Sequence, residues 1–240
     1  MKLITACNEG YYRRMSPYLD SLKRHLDIPA VLVTVGFEPE FCAIDHVHLT
    51  RLQNAGAPYE TESPQHGAFL QVIDGPDDET LIFTDGDIVL QRPLSAIEHA
   101  QLDYLEGAVT CGWNSGPTET LQVEAARLYP RVTPMELLGR MGETVNAPCY
   151  NIGVIAAKRA TWQRIYEAYM PLWPVVTQAF GHPARQQWLV NYVIARLGIP
   201  VRLMPYSLHA NGHYGIPPGV TLADGLAYYQ GDMVAFRHKL

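Results

Sequence analysis

The sequence predicts a mixed α/β domain with a mostly parallel central sheet flanked by helices. Three observations predict it. The chain opens strand–helix–strand, with apolar runs "KLITACN" and "AVLVTVGF" on either side of an amphipathic segment. Later apolar runs again alternate with helical stretches rather than with hairpin turns. At 240 residues and 48% hydrophobic, the chain can bury one substantial core, which favours a single domain.

The elements follow in order. Ser16 offers an N-cap oxygen and Pro17 a preset φ at the first helical position, and Leu19, Leu22 and Leu26 then share one face. Ser63-Pro64 repeats that signal and predicts a helix through "QHGAFLQVI", stopping at the turn-rich "DGPDDE". "TLIFT" reads as a buried strand, broken by Asp85-Gly86-Asp87 and resumed as "IVL". "RPLSAIEHA" predicts a short helix, Gly107 to Asn114 a strand, and Pro117 to Leu128 a helix. Pro130 to Pro148 is less regular, with Gly139 and Gly142 and no clear period, and reads as a candidate mobile loop over a site. "CYNIGVIAA" is a strand signal. "TWQRIYEAYMPLW" is expected to be helical as far as Pro171, with Lys158-Arg159 as its solvated start. "PARQQWLVNYVIARLG" predicts a helix with Leu189, Val193 and Leu197 on one face and Gly198 as its stop. "IPVRLMP" is a strand, and the tail rich in Gly, Pro, Tyr and His carries one late strand, "DMVAFRH". Trp162, Trp173 and Trp188 fall in helical stretches, where packing is the expected role.

Composition narrows the function. A net charge of −6 lacks the basic balance of a nucleic-acid-binding protein. Cys7, Cys42, Cys111 and Cys149 are far apart and form no C-x-x-C pair, so reduced, mostly buried thiols are expected rather than a zinc or redox site. No apolar run approaches the roughly 20 residues of a transmembrane segment, and "MKLITACNEGYY" is too short in its apolar part for a signal peptide. The expected location is cytoplasmic.

Asp85-Gly86-Asp87 is the sharpest chemical feature. Two carboxylates one residue apart, at the end of a buried strand, repel each other. An Asp-Gly turn explains the first acid but not the second. A hard divalent cation, Mn²⁺ or Mg²⁺, would take oxygen ligands from both and leave room for phosphate. Ligands of open α/β sheets lie beyond the carboxyl ends of the strands, where this pair is predicted to sit. Gly86 would let the backbone come close to a ligand. A D-x-D-G-T phosphatase signature is excluded because Ile88 follows Asp87. A nucleotidyltransferase would carry a Gly-rich basic loop after the first strand, and "CNEGYYRR" is a poor match. Gln65 and His66, in the first turn of a helix, are candidates for a phosphate contact. Tyr11 and Tyr12 are candidates for stacking on a base.

"LIFTDGDIVL", then "YNIGVIAA", then "ARQQWLVNYVI" resemble, in order, the GT-A glycosyltransferases, most nearly the retaining glycogenin- and galactosyltransferase-type family (glycosyltransferase family 8-like). That family has a strand ending in D-x-D, a strand reading F-N-x-G-V, a helix beginning D-Q-x-x-L-N, and a late strand with a metal-binding His. "ITACNEGYYRRMSPYLDSLKRH" is similar to its first strand and helix, which hold the nucleotide base. The resemblance implies a single GT-A (Rossmann-like) catalytic domain over 1–240, with residues 1–115 as the nucleotide-sugar half and 116–240 as the acceptor-side half. It implies a metal-dependent hexosyltransferase with a nucleotide-diphosphate sugar, expected to be a UDP-sugar, as donor. The acceptor, whether carbohydrate, lipid or small molecule, is not legible.

The resemblance also implies roles. Asp85 and Asp87 would hold the metal and the diphosphate. Ala6, Cys7, Asn8, Tyr11, Gln65, His66, Thr84, Gly86 and Gly153 would line the donor. Asn151, Gln186 and Gln187 would serve the reacting sugar, with Asn191 on the same helix. Independently of the resemblance, Trp113-Asn114 follows a strand and is a candidate to border the sugar pocket. Arg185 stands where the family has Asp. For the third metal ligand His238 is preferred to Tyr228, because a neutral imidazole ligates better than an un-ionised phenol; His209 and His213 compete. No carboxylate stands out as a base toward an acceptor. Asp224 and Asp232 are the candidates, and the lack of a clear one favours a retaining mechanism. A nucleotide-sugar-binding protein without transfer activity is the alternative.

Overall fold

A computed structural model of the chain describes residues 1–40, 42, 44–52, 65–110, 120–128, 132–180, 186–212 and 215–240. β1 (Lys2–Asn8) leads through α1 (Glu9–Tyr12) and α2 (Ser16–His25) to β2 (Ala30–Val35) and β3 (Asp45–Leu49). Next come α3 (Gln65–Leu70), β4 (Thr80–Thr84), β5 (Ile88–Leu90), α4 (Ala96–Leu102), β6 (Ala108–Thr110), α5 (Leu121–Leu128) and α6 (Pro134–Met141). A 3₁₀ turn (Glu143–Asn146) precedes β7 (Val154–Lys158), α7 (Arg159–Phe180), α8 (Gln186–Arg196) and β8 (Val201–Leu203). The chain ends with β9 (His209–Asn211), β10 (Val220–Ala223), β11 (Leu226–Tyr229), β12 (Asp232–Met233) and β13 (Phe236–His238).

The central sheet has seven strands in the order β3-β2-β1-β4-β7-β6-β8. β3, β2, β1 and β4 run parallel, and β7 is antiparallel to both β4 and β6. Successive residues of a strand face opposite sides, and both sides are covered. Ile4, Phe83 and Ile155 pack with Phe69 of α3, Trp162 of α7 and Leu189 of α8. Leu3, Ile82 and Val154 pack on the other side with Tyr18 and Leu22 of α2 and Leu102 of α4. Burial on two faces is why these strands read as continuous apolar runs rather than alternating ones. The second layer also receives a small sheet, β5-β13-β9, in which β13 is antiparallel to β5 and parallel to β9. The β10-β11-β12 meander completes the tail.

Several elements depart from expectation. Ser16 is the first residue of α2 rather than its cap, because the buried Met15 carbonyl already accepts from Leu19 N at 2.9 Å. α7 passes through Pro171 and Pro174. Both prolines are exposed, while Tyr169, Met170, Trp173 and Val176 are buried and hold the helix to the core. The segment expected as a loop forms α6, started by a capping box between Thr133 and Glu136 with Pro134 in the first turn. Arg159 is not solvated: it is 3% exposed, pairs with Glu79 and donates to the carbonyls of Ile73 and Pro76. "DMVAFRH" splits into β12 and β13 around the buried Val234 and Ala235. The three tryptophans are core residues, as expected. Cys7, Cys42 and Cys149 are free thiols. Among the described residues no helix is long and apolar enough to cross a membrane. Ser63-Pro64, Cys111, Trp113-Asn114, Arg185 and His213 lie outside the described residues.

The tail is lashed to the segment after β5. The Gln91 side chain donates to the carbonyls of Ala227 and Val234 and accepts from Ala227 N. Arg92 donates to the Met233 carbonyl at 2.7 Å and to both oxygens of Glu98, at 2.8 and 2.6 Å. Glu98 also closes the capping box of α4 with Ser95. Burial pushes the Glu98 carboxyl up, but the hydrogen bonds from Arg92 and Ser95 outweigh it and hold the group below its ordinary value. Its contribution is therefore complete above the unfolded value near 4.5 and is lost as pH falls through the folded value.

Two predictions follow from this packing. The stability difference between wild type and Glu98→Gln, measured by urea denaturation, should be full at pH 7 and shrink on acidification below about pH 4.5. An added Cβ at Gly67 would lie 2.3 Å from the buried Trp173 ring, whereas one at Gly139, exposed on α6, meets nothing within 4 Å. Gly67→Ala should therefore lower stability by about 1–3 kcal/mol, and Gly139→Ala should raise it by about 0.5–1 kcal/mol.

Candidate active site

β4 ends at Thr84, and the next four residues turn the chain out of the central sheet, with Ile88 N donating to the Asp85 carbonyl at 3.3 Å. Asp85 N donates to the Gly153 carbonyl at 2.8 Å, which continues the β4–β7 pairing by one step and sets the amino end of β7 beside the acids. A Cβ at Gly86 would sit 2.5 Å from Met15 Cε. The absent side chain thus lets the start of α2 pack on the turn. Thr84 is likewise committed to the scaffold: its hydroxyl pairs with Tyr18 at 2.5 Å and its carbonyl accepts from Thr5 at 2.7 Å.

β13 delivers His238. It pairs antiparallel with β5, setting His238 opposite Ile88. The imidazole is 2% exposed and rests on Gly153, where a Cβ would come within 2.9 Å of its ring. Its Nε2 lies 3.3 Å from Asp87 Oδ1. Among the described residues, neither ring nitrogen makes a hydrogen bond. One donor atom each from Asp85, Asp87 and His238 lies within 4.8 Å of the others. Burial, with the Asp87 charge adding to it, pushes the Asp85 carboxyl up to about 8, and Lys239 opposes the rise. Burial would also raise Asp87, but His238 and Lys239 hold it below the usual carboxylate range. Asp85 is thus harder to ionise than an ordinary carboxylate, and a cation joining the pair would offset that cost. Two carboxylates and a buried imidazole whose Nε2 faces them fit a divalent ion such as Mn²⁺ or Mg²⁺.

Other predicted residues are distributed around this centre. Tyr11, at the end of β1 through the α1 turn, reaches it: burial raises its hydroxyl pKa, and the charges of Asp85 and Asp87 raise it further. Asn8 caps α1, accepting from Tyr11 N at 2.9 Å. Ala6 and Cys7 are fully buried within β1, and burial with the nearby Cys42 pushes the Cys7 thiol up to about 12. Gln65 and His66 open α3, and their side chains lie outside the described set.

On the other flank, Asn151 accepts from Gly153 N at 3.0 Å, which shapes the entry to β7. Asn191 clamps the Tyr150 backbone, accepting from its N at 3.0 Å and donating to its carbonyl at 2.9 Å. Gln187 Oε1 lies 3.5 Å from Ile152 N, so it faces the same segment, and Gln186 is buried at the start of α8.

Of the competitors for the third ligand, His213 lies outside the described residues, and the cluster of donor atoms does not include His209. Tyr228 is paired inside the meander, and His209 is a buried neighbour of His238, with ring centroids 5.7 Å apart. Asp224 sits in an exposed turn and Asp232 near Arg92. One site residue was missed from sequence: Lys239, whose Nζ lies 3.4 Å from Asp87 Oδ2. Its only signal was a basic residue directly after the candidate metal-binding His.

No protein-family model and no curated protein matches the sequence. Solved structures do. One is a crystal structure of the galactosyltransferase LgtC in complex with donor and acceptor sugar analogs, 12% identical, covering 88% of this chain and 75% of that chain with a TM-score of 0.56. Another is an LgtC active-site mutant, also 12% identical, with the same coverage and a TM-score of 0.53. At that identity the likeness is one of fold. The chain has the GT-A fold that its ordered motifs implied, with Asp85, Asp87 and His238 gathered at the carboxyl end of β4.

Proposed function

We propose that the protein is a metal-dependent glycosyltransferase that moves a sugar from a nucleotide-diphosphate sugar to an acceptor. The observation that carries this reading is the convergence of Asp85, Asp87 and His238 at the carboxyl end of β4 on a GT-A fold. LgtC, which has the same fold, was solved with donor and acceptor sugar analogs, and a UDP-hexose is the donor we propose here.

The chain's own residues divide the work. Asp85 and Asp87 supply anionic oxygens and His238 a buried imidazole nitrogen, and these would hold Mn²⁺ or Mg²⁺. When bound, the ion supplies Lewis-acid charge to the diphosphate leaving group. Tyr11 and the carboxyl end of β1 form the nucleotide side. Asn151 and Gln186 offer amides to the sugar side, where dipoles preset toward developing charge lower the barrier. Gln187 and Asn191 position the 150–152 backbone.

A thermal-shift screen of nucleotide-sugars, each with and without Mn²⁺, should raise Tm for one donor only when the metal is present, since a ligand of the folded state stabilises by mass action. Asp87→Asn should lower donor turnover, read as release of the nucleoside diphosphate, by about a hundredfold. Undiminished turnover in excess EDTA would remove the metal from the reaction. Tight donor binding with neither hydrolysis nor transfer would instead identify a nucleotide-sugar-binding protein.

A further inference from the structure

We propose that Lys239 is a resident counter-cation: it neutralises Asp87 when no divalent ion is bound, and so makes metal binding depend on the diphosphate. The inference rests on the metal reading of the Asp85–Asp87–His238 cluster.

Consecutive residues of a strand point to opposite faces, yet His238 and Lys239 reach the same carboxylate. His238 Nε2 lies 3.3 Å from Asp87 Oδ1, and Lys239 Nζ lies 3.4 Å from Oδ2. The backbone makes this possible. Lys239 has a φ of 52°, in the left-handed region that residues with a Cβ rarely adopt. The turn is held from the side. Gly212 N donates to the His238 carbonyl at 2.7 Å, and a Cβ at Gly212 would come within 2.5 Å of the Lys239 carbonyl. An unfavourable backbone angle secured by a glycine with no room for a side chain is a built feature of the site. The Lys239 charge acts on Asp85 as well as Asp87. Its side chain is 44% exposed, so the ammonium is free to leave.

The consequence is a competition of charges. A dication bound to Asp87 would be within a few ångströms of the ammonium and would repel it. Metal entry therefore costs the Lys239–Asp87 pair. A diphosphate arriving with the metal offers the displaced ammonium a new anionic partner and offsets that loss. Metal and diphosphate should then each strengthen the other's binding, and by linkage the two effects are equal.

Calorimetric titration of the full chain with Mn²⁺, with UDP, and with each in the presence of the other tests this in wild type, Lys239→Met, Lys239→Gln and Lys239→Arg. Both neutral variants should bind Mn²⁺ alone about fivefold or more tightly than wild type, and UDP should enhance their Mn²⁺ binding less. Lys239→Arg, which keeps the charge, should follow wild type. Melting curves in EDTA show whether each variant is folded. If folded Lys239→Met and Lys239→Gln bind Mn²⁺ with wild-type or lower affinity, or keep the full enhancement by UDP, the counter-cation role is overturned while the metal site stands. If wild type and all three variants bind no Mn²⁺, the metal reading itself falls and takes this inference with it.

Discussion

Two carboxylates crowded at the end of a buried strand are the constraint on which the site depends. Asp85 and Asp87 follow β4, which is flanked by β1 and β7 and covered on both faces. Water cannot fully solvate both charges there, and burial with mutual repulsion pushes one carboxyl up to about 8. The surroundings answer this from one direction: His238 and Lys239 both come from the last strand and its turn, and both face Asp87. A divalent ion would complete the compensation that they begin.

The scaffold serves that geometry at several removes. Tyr18, Thr5 and Thr84 tie α2, β1 and β4 together directly behind the acids. The antiparallel insertion of β7 brings Gly153 to Asp85 and leaves space for the His238 ring. Gln91 and Arg92 fix the tail to the segment that follows the acids, so β13 meets β5 in the register that sets His238 opposite Ile88. The site is thus assembled from segments far apart in the chain, and each is held by hydrogen bonds to its neighbour.

Legibility varied with the range of the interaction. β1, β2, β4 and β7 were readable because strands buried on both faces leave uninterrupted apolar runs. The Gly198 stop was readable because it depends on one residue's φ, which is 62°. α7 was misjudged at Pro171 because the cost of a lost hydrogen bond is local, whereas the burial of Tyr169, Trp173 and Val176 that outweighs it is not. α6 had its Thr-Pro-x-Glu start in plain view, but Gly139 and Gly142 hid it. Arg159 looked solvated because its partner, Glu79, is 80 positions away.

What the sequence determined by itself is the order of the elements, the two-faced burial of the central strands and the presence of an acid pair where a strand ends. These follow from periodicity and from adjacent residues. The sequence favoured His238 as the partner of those acids on ligand chemistry, but only the tertiary structure brings its ring to that pair and stands Lys239 beside it. Tertiary structure also decided that the free space at Gly86 belongs to Met15. The physical reason is common to all three. Each depends on strand register or on close packing between residues distant in the chain, and neither composition nor local propensity encodes which of several similar side chains a register will bring to the same point.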